Sequence, residues 1–154
     1  MSGYTTVLVG TDGSESSFRA VDRAAEVARD SGATLLLACA YRPMSAREVQ
    51  DAQDVLGGEA YKVSGSTPAE DVLRDAADRA RAAGLTDVET FAIEGDPVDE
   101  LIGVVKRRGV DLVVIGNRGL NSLAGRLLGS VPANISHRAT CDVLIVYTTG
   151  RAKK

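Results

Sequence analysis

The eight residues Thr34-Leu-Leu-Leu-Ala-Cys-Ala-Tyr41 constrain the fold most, because they offer no polar face. A strand with one side in water alternates apolar and polar residues, whereas a strand covered on both sides reads as one apolar run, as in a parallel sheet. Four further short runs are compatible with the same sheet: Thr6–Val9, Val88–Ile93, Asp111–Ile115 and Asp142–Tyr147. Between them apolar residues return at helical spacing. Phe18, Val21, Ala24, Ala25 and Ala28 mark one helix, capped by Ser14 and stopped by Gly32. Ala69, Val72, Leu73, Ala76, Ala77 and Ala80 mark another, from Pro68 through Ala83 to the stop at Gly84. Val98, Leu101, Ile102 and Val105 follow Pro97 and end at Gly109, and a last helix runs from about Val131 to Ala139. Five strands alternating with helices predict an α/β fold: a single doubly wound five-stranded parallel sheet with helices on both faces.

The 154 residues, 44% of them apolar, suffice for one domain with a real core. We take it as 1–149, followed by a polar tail at 150–154. Residues 42–66 break the rhythm with Pro43, Gly57, Gly58 and Gly65 around a short helical pattern at Ala46–Leu56, and are expected to form a variable flap. A net charge of −3 and an aromatic content of 4% argue against nucleic acid as a partner. Cys39 and Cys141 lie in or beside apolar segments without metal-ligand spacing, so buried free thiols in a reducing compartment are expected. The amino terminus lacks a charged and then apolar leader pattern, and no apolar run approaches about 18 residues. The expectation is therefore a cytoplasmic protein with no membrane partner.

The chemistry concentrates after the fourth strand. Gly116 and Gly119 follow Leu112–Ile115, where the absence of Cβ would permit positive φ and close approach of backbone N–H groups to an anion. Gly129-Ser130 stands at a helix start, with Ser130 as N-cap and Pro132 in the first turn, and such a helix end favours negative charge. Two ordinary turns are the competing reading. Arg118 and Arg126 could pair with phosphate, although a loop arginine is more often only solvated. A second glycine turn, Gly10-Thr11-Asp12-Gly13, follows the first strand; on local sequence Asp12 serves turn chemistry or ligand contact about equally well. His137 beside Arg138, and Asp99 with Glu100, are read as complements to helix dipoles. No catalytic constellation surrounds the single histidine, and the chain lacks both a Gly-Lys-Ser/Thr ending and a G-X-G-X-X-G fingerprint.

The pattern Gly-X2-Gly-X9-Gly-Ser, formed by Gly116, Gly119, Gly129 and Ser130, resembles the nucleotide-binding signature of the universal stress protein family. Val7-Leu-Val-Gly-Thr-Asp-Gly-Ser-Glu15, Gly32-Ala-Thr-Leu-Leu-Leu37 and Gly95-Asp-Pro97 extend the resemblance over nearly the whole chain. It implies strand order 3-2-1-4-5, which puts the glycine turns after strands one and four side by side where the winding reverses. It also implies that Asp12 meets ribose or a metal-bridged phosphate, that backbone near Ala40 meets the adenine edge, and that Gly116, Gly119, Gly129 and Ser130 hold phosphates and ribose. Gly10, Thr11, Asn117, Arg118, Arg126 and Val131 complete the candidate set. The implied ligand is ATP, with cyclic AMP and AMP as alternatives and Mg²⁺ accompanying ATP. The implied role is a stress-response regulator with at most slow ATP hydrolysis; a nucleotide-independent interaction scaffold is the other reading. As a final strand at a sheet edge, Val143–Val146 would present unpaired backbone groups, so a homodimer across it is expected.

Overall fold

The structure, a computed structural model, describes residues 3–41, 66–117 and 130–148. Of the expected flap at 42–66, Ser66 belongs to the helix that follows, while residues 42–65, with the short helix at 46–56, and the polar tail lie outside the described residues. Five strands, β1 (Thr6–Gly10), β2 (Thr34–Tyr41), β3 (Val88–Glu94), β4 (Leu112–Gly116) and β5 (Asp142–Val146), form one sheet in the order β3-β2-β1-β4-β5. All four pairings are parallel, with Val7 opposite Leu35 on one side and Leu112 on the other. The helices among the described residues are α1 (Glu15–Ser31), α2 (Ser66–Ala82), α3 (Pro97–Arg108) and α4 (Ser130–Arg138).

Successive residues of a strand point to opposite faces, and here both faces are covered. Val7, Val9, Leu35 and Leu37 meet the alanine-rich faces of α1 and α2, including Ala24, Ala25, Ala28, Ala76, Ala77 and Ala80. Leu8, Leu36, Val113 and Ile115 meet Leu101, Ile102, Val104 and Val105 of α3 and Ile135 of α4. Full burial of each such side chain contributes about 1.5–3 kcal/mol before the entropy of ordering is counted. This two-sided burial is why β2 carries no polar face. It also explains the helix pairing, with α1 and α2 on one layer and α3 and α4 on the other, so that the winding reverses between β1 and β4.

Local chemistry sets the helix ends. Ser14 Oγ accepts the Ser17 amide at 3.1 Å, and the Asp96 carboxylate accepts the Val98 and Asp99 amides at 3.1 Å ahead of Pro97. Helix α2 begins at Ser66, two residues before the expected Pro68, because a first-turn N–H needs no helical partner and proline is tolerated there. Cys39 is buried as expected, whereas Cys141 is half-buried. Among the described residues no helix is long and apolar enough to cross a membrane.

Asp111 ties the amino ends of β1 and β4 together. Its carboxylate accepts the amides of Thr5 (2.9 Å) and Thr6 (2.9 Å) and the Thr5 hydroxyl (3.2 Å). Partial burial alone would raise its pKa, but the combined hydrogen bonds outweigh that and hold it below its ordinary 3.8. A carboxylate with a depressed folded-state pKa contributes stability that is present above the unfolded pKa and lost as pH falls through the folded one. Asp111→Asn should therefore cost about 1 kcal/mol in urea unfolding at pH 7, the group being partly exposed. The gap from wild type should stay constant down to about pH 5 and narrow below about pH 4.

Candidate functional site

At the winding reversal, β1 and β2 end at different heights. The last rung of β1 is the Thr11 amide donating to the Ala38 carbonyl at 2.9 Å, while β2 continues beside β3 to Tyr41, whose carbonyl accepts the Gly95 amide at 2.8 Å. In a parallel ladder each residue turns both its backbone polar groups toward one neighbour. Thr34 and Ala38 face β1, and Leu35 and Tyr41 face β3. By this alternation the N–H and C=O of Ala40 face the β1 side. There β1 has already turned away, since its register with β2 stops at Gly10 and Ala38. Ala40 thus offers an adjacent donor and acceptor over the end of β1.

The turn that removes β1 is built on a buried hydroxyl pair. Thr11 Oγ1 and Ser17 Oγ lie 2.7 Å apart; the Ser17 hydroxyl donates to the Ser14 carbonyl at 2.9 Å, so Thr11 supplies the proton between them. Thr11 Oγ1 also accepts the Gly13 amide at 3.1 Å. The Thr11 side chain is therefore turned inward and committed to the turn. Asp12 Oδ1 accepts the Ser14 amide at 2.9 Å, which is the turn chemistry weighed from the sequence. Its other oxygen accepts no hydrogen bond among the described residues, and the side chain is exposed. Burial, and after it the charge of Asp12, pushes the Cys39 thiol up to about 11, so this thiol stays protonated at neutral pH. Gly13 has φ +86°, and a Cβ there would lie 2.7 Å from Val72 Cγ2, so both backbone and space require glycine.

Across the reversal, β4 ends at Gly116 and Asn117. The Asn117 amide donates to the Val146 carbonyl at 2.8 Å, and its side-chain Oδ1 accepts both the Thr148 amide (2.8 Å) and the Thr148 hydroxyl (3.1 Å). The Thr148 carbonyl accepts the Arg19 guanidinium at 2.8 Å. Gly116 does not use the positive φ expected of it: the left-handed glycines among the described residues are 13, 32, 84, 95 and 109. Neither Thr148 nor Arg19 was singled out from the sequence, because Thr148 lies just past the last strand pattern and Arg19 sits on the polar side of α1. Ser17 was not singled out either, because its hydroxyl meets Thr11 only in the folded turn.

Gly10, Thr11, Asp12, Ala40, Gly116 and Asn117 thus gather at the carboxyl ends of β1, β2 and β4. Arg118, Gly119, Arg126 and Gly129 lie outside the described residues. Ser130 opens α4 as its first helical residue, and the Val131 side chain is buried in the core below. Arg138 in the last turn of α4 donates to Asp99 at 2.8 Å, joining that helix to the first turn of α3. Concavities also exist away from the reversal. One of about 580 Å³ lies at the opposite end of the sheet beside Tyr4, Asp111, Cys141 and Asp142; another of about 430 Å³ lies between α2 and β3. A crevice open to solvent above strand ends is where an α/β sheet places its ligand, so the exposed strand ends carry the assignment rather than cavity volume. Among the described residues no group of three or more His, Cys, Asp or Glu side chains is disposed to hold a metal ion.

Comparison with known proteins places this geometry. The model of the universal stress protein family matches residues 3–147. Universal stress protein Rv1636 of Mycobacterium tuberculosis is 54% identical over 149 residues, covering 97% of this chain and 100% of the relative. Universal stress protein YxiE of Bacillus subtilis is 31% identical over 152 residues, covering 93% of this chain and 99% of its own. A crystal structure of a universal stress protein in complex with cAMP superposes with a TM-score of 0.74 at 47% identity, covering 96% of this chain and 99% of that one.

The Gly13 turn can be tested against Gly32, which has φ +72° with nothing within 4 Å of a Cβ. Gly32→Ala should cost about 1–2 kcal/mol for the left-handed backbone alone. Gly13→Ala should cost more, because Val72 must also move; equal losses in urea unfolding would show that the Val72 contact does not matter.

Proposed function

The chain belongs to the universal stress protein family, and from that premise we propose that it is a cytoplasmic stress-response regulator that binds an adenine nucleotide in the crevice between β1 and β4. The observation that carries the reading is the backbone edge of Ala40, which faces the space vacated by β1 and has no strand partner there among the described residues. The adenine edge likewise pairs a donor amine with an acceptor ring nitrogen, so it matches a strand residue that has lost its neighbour. Asp12, with one oxygen held by Ser14, has the other to accept ribose hydroxyls. Residues 118–129, with Gly119 and Gly129, would hold phosphate at the α4 N-terminus. Of the nucleotides implied by the sequence, cyclic AMP has the added support that a protein 47% identical to this chain was solved in complex with cAMP. The resemblance carried by the glycine pattern favours ATP, with cyclic AMP and AMP as its alternatives. With ATP, Mg²⁺ would be held by the nucleotide's own phosphates and Asp12, and any hydrolysis would be slow. A scaffold that needs no nucleotide is the competing reading.

The second part of the proposal is a homodimer across β5. Among the described residues this strand closes one edge of the sheet, pairing with β4 alone, and Val143, Leu144, Ile145 and Val146 are half-buried in the single chain. An apolar edge of this kind is stabilised by pairing with its own copy about a two-fold axis. Sedimentation velocity at micromolar concentration should give about twice the 16.1 kDa chain mass; a 16.1 kDa species throughout would dismiss this interface.

Calorimetric titration of nucleotide-stripped protein with cyclic AMP, AMP and ATP, each with and without Mg²⁺, should give saturable binding of at least one. Asp12→Asn keeps an oxygen for the Ser14 amide but loses the charge, and should weaken binding about tenfold, as expected for one hydrogen bond to a charged acceptor. Failure of the folded protein to bind any of the three would leave the scaffold reading. Unaltered affinity in Asp12→Asn would remove Asp12 from the site.

A further inference from the structure

Glycine at 116 has no explanation in its backbone, which is not left-handed. Its explanation is a neighbour: a Cβ on residue 116 would lie 3.2 Å from Thr148 Cγ2 and 3.4 Å from Thr148 Oγ1. The first distance is tighter than ordinary van der Waals contact, so Thr148 would have to give way. It has little freedom to do so. Thr148 is 3% exposed, its amide and hydroxyl are both spent on Asn117 Oδ1, and its carbonyl is held by Arg19. A carbonyl oxygen has two lone pairs, so Asn117 Oδ1 is saturated by Thr148 and has no capacity left for a ligand.

The geometry assigns Thr148 the role of a positioning residue for the crevice. The missing Cβ of Gly116 admits Thr148, and Thr148 clamps the Asn117 side chain, which holds the end of β4 in place at the mouth of the site. Arg19, on the helix that follows the Asp12 turn, locks the clamp from the other side of the reversal. The two walls of the crevice are therefore set relative to one another through Thr148. This assignment rests on the reading of the crevice as an adenine nucleotide site, and it places the need for glycine at 116 in protein packing rather than in approach to an anion.

A packing origin predicts rescue by a second change that an anion-approach origin does not. With cyclic AMP, AMP and ATP as probes, calorimetry should show Gly116→Ala weakening binding of whichever nucleotide the wild type takes by about tenfold, as expected when a supporting residue is displaced by a few tenths of an ångström. Gly116→Ala combined with Thr148→Ser removes the Cγ2 methyl but keeps the hydroxyl, and should recover most of that loss. Thr148→Val, which keeps the shape and loses the hydroxyl, should weaken binding several-fold while thermal melting confirms a folded chain. Gly116→Ala binding as wild type, or remaining equally impaired beside Thr148→Ser, would overturn the assignment while leaving the nucleotide reading intact. A folded wild type that binds none of the three nucleotides would overturn both.

Discussion

The buried hydrogen bond between Thr11 and Ser17 is the constraint on which the rest of this architecture depends. β1 runs through the centre of the sheet with Val7, Leu8 and Val9 fully buried, and it must stop before β2 does. Stopping a central strand leaves polar groups in a dry place, where an unpaired donor or acceptor costs about 1–3 kcal/mol. Thr11 resolves this by giving its amide to Ala38 and its hydroxyl to Ser17, and by accepting the Gly13 amide. Ser17 in turn belongs to the first turn of α1, so the strand end and the helix start are one hydrogen-bonded unit. Asp12 projects from that unit, and Ala40 is bare because of it.

The same logic of satisfied polar groups governs the other wall. The Asn117 amide continues the β4–β5 ladder onto Val146, and its side chain takes two bonds from Thr148. The edge strand and the segment just beyond it are thereby bonded to the residue that begins the glycine loop. The interface expected at β5 and the crevice expected between β1 and β4 share residues Val146 to Thr148 as a physical connection. A connection of this kind can carry coupling between two sites only if it has two arrangements, one favoured by each ligand state.

Much of this was legible in the residues. The uninterrupted apolar run of β2 required cover on both faces, and the helices whose small residues recur at Ala24, Ala25, Ala28, Ala76, Ala77 and Ala80 supplied it on one side. The cap at Ser14 and the stops at Gly32 and Gly109 follow from local hydrogen-bonding and backbone preferences. Asp12 was left between turn and ligand contact, and the turn bond to Ser14 occupies one of its two oxygens, so the two readings do not compete. Strand order was not in the periodicity at all; it came from resemblance to a family, because pattern along a chain does not say which strands lie side by side.

Periodicity, capping and glycine spacing act over a few residues, and at that range the amino-acid sequence by itself determined the strands, the helices, the parallel two-sided core and the glycine turn after β1. Tertiary structure decided what each of those residues is for. Ser17 is needed because Thr11 is buried beside it, the Ala40 backbone has no β1 residue opposite it because β1 ends two residues short of it, and Gly116 is glycine because Thr148, 32 positions later, fills the space a side chain would take. Such contacts arise only when distant segments close on one another, and no local preference of Thr148 or Arg19 announces them.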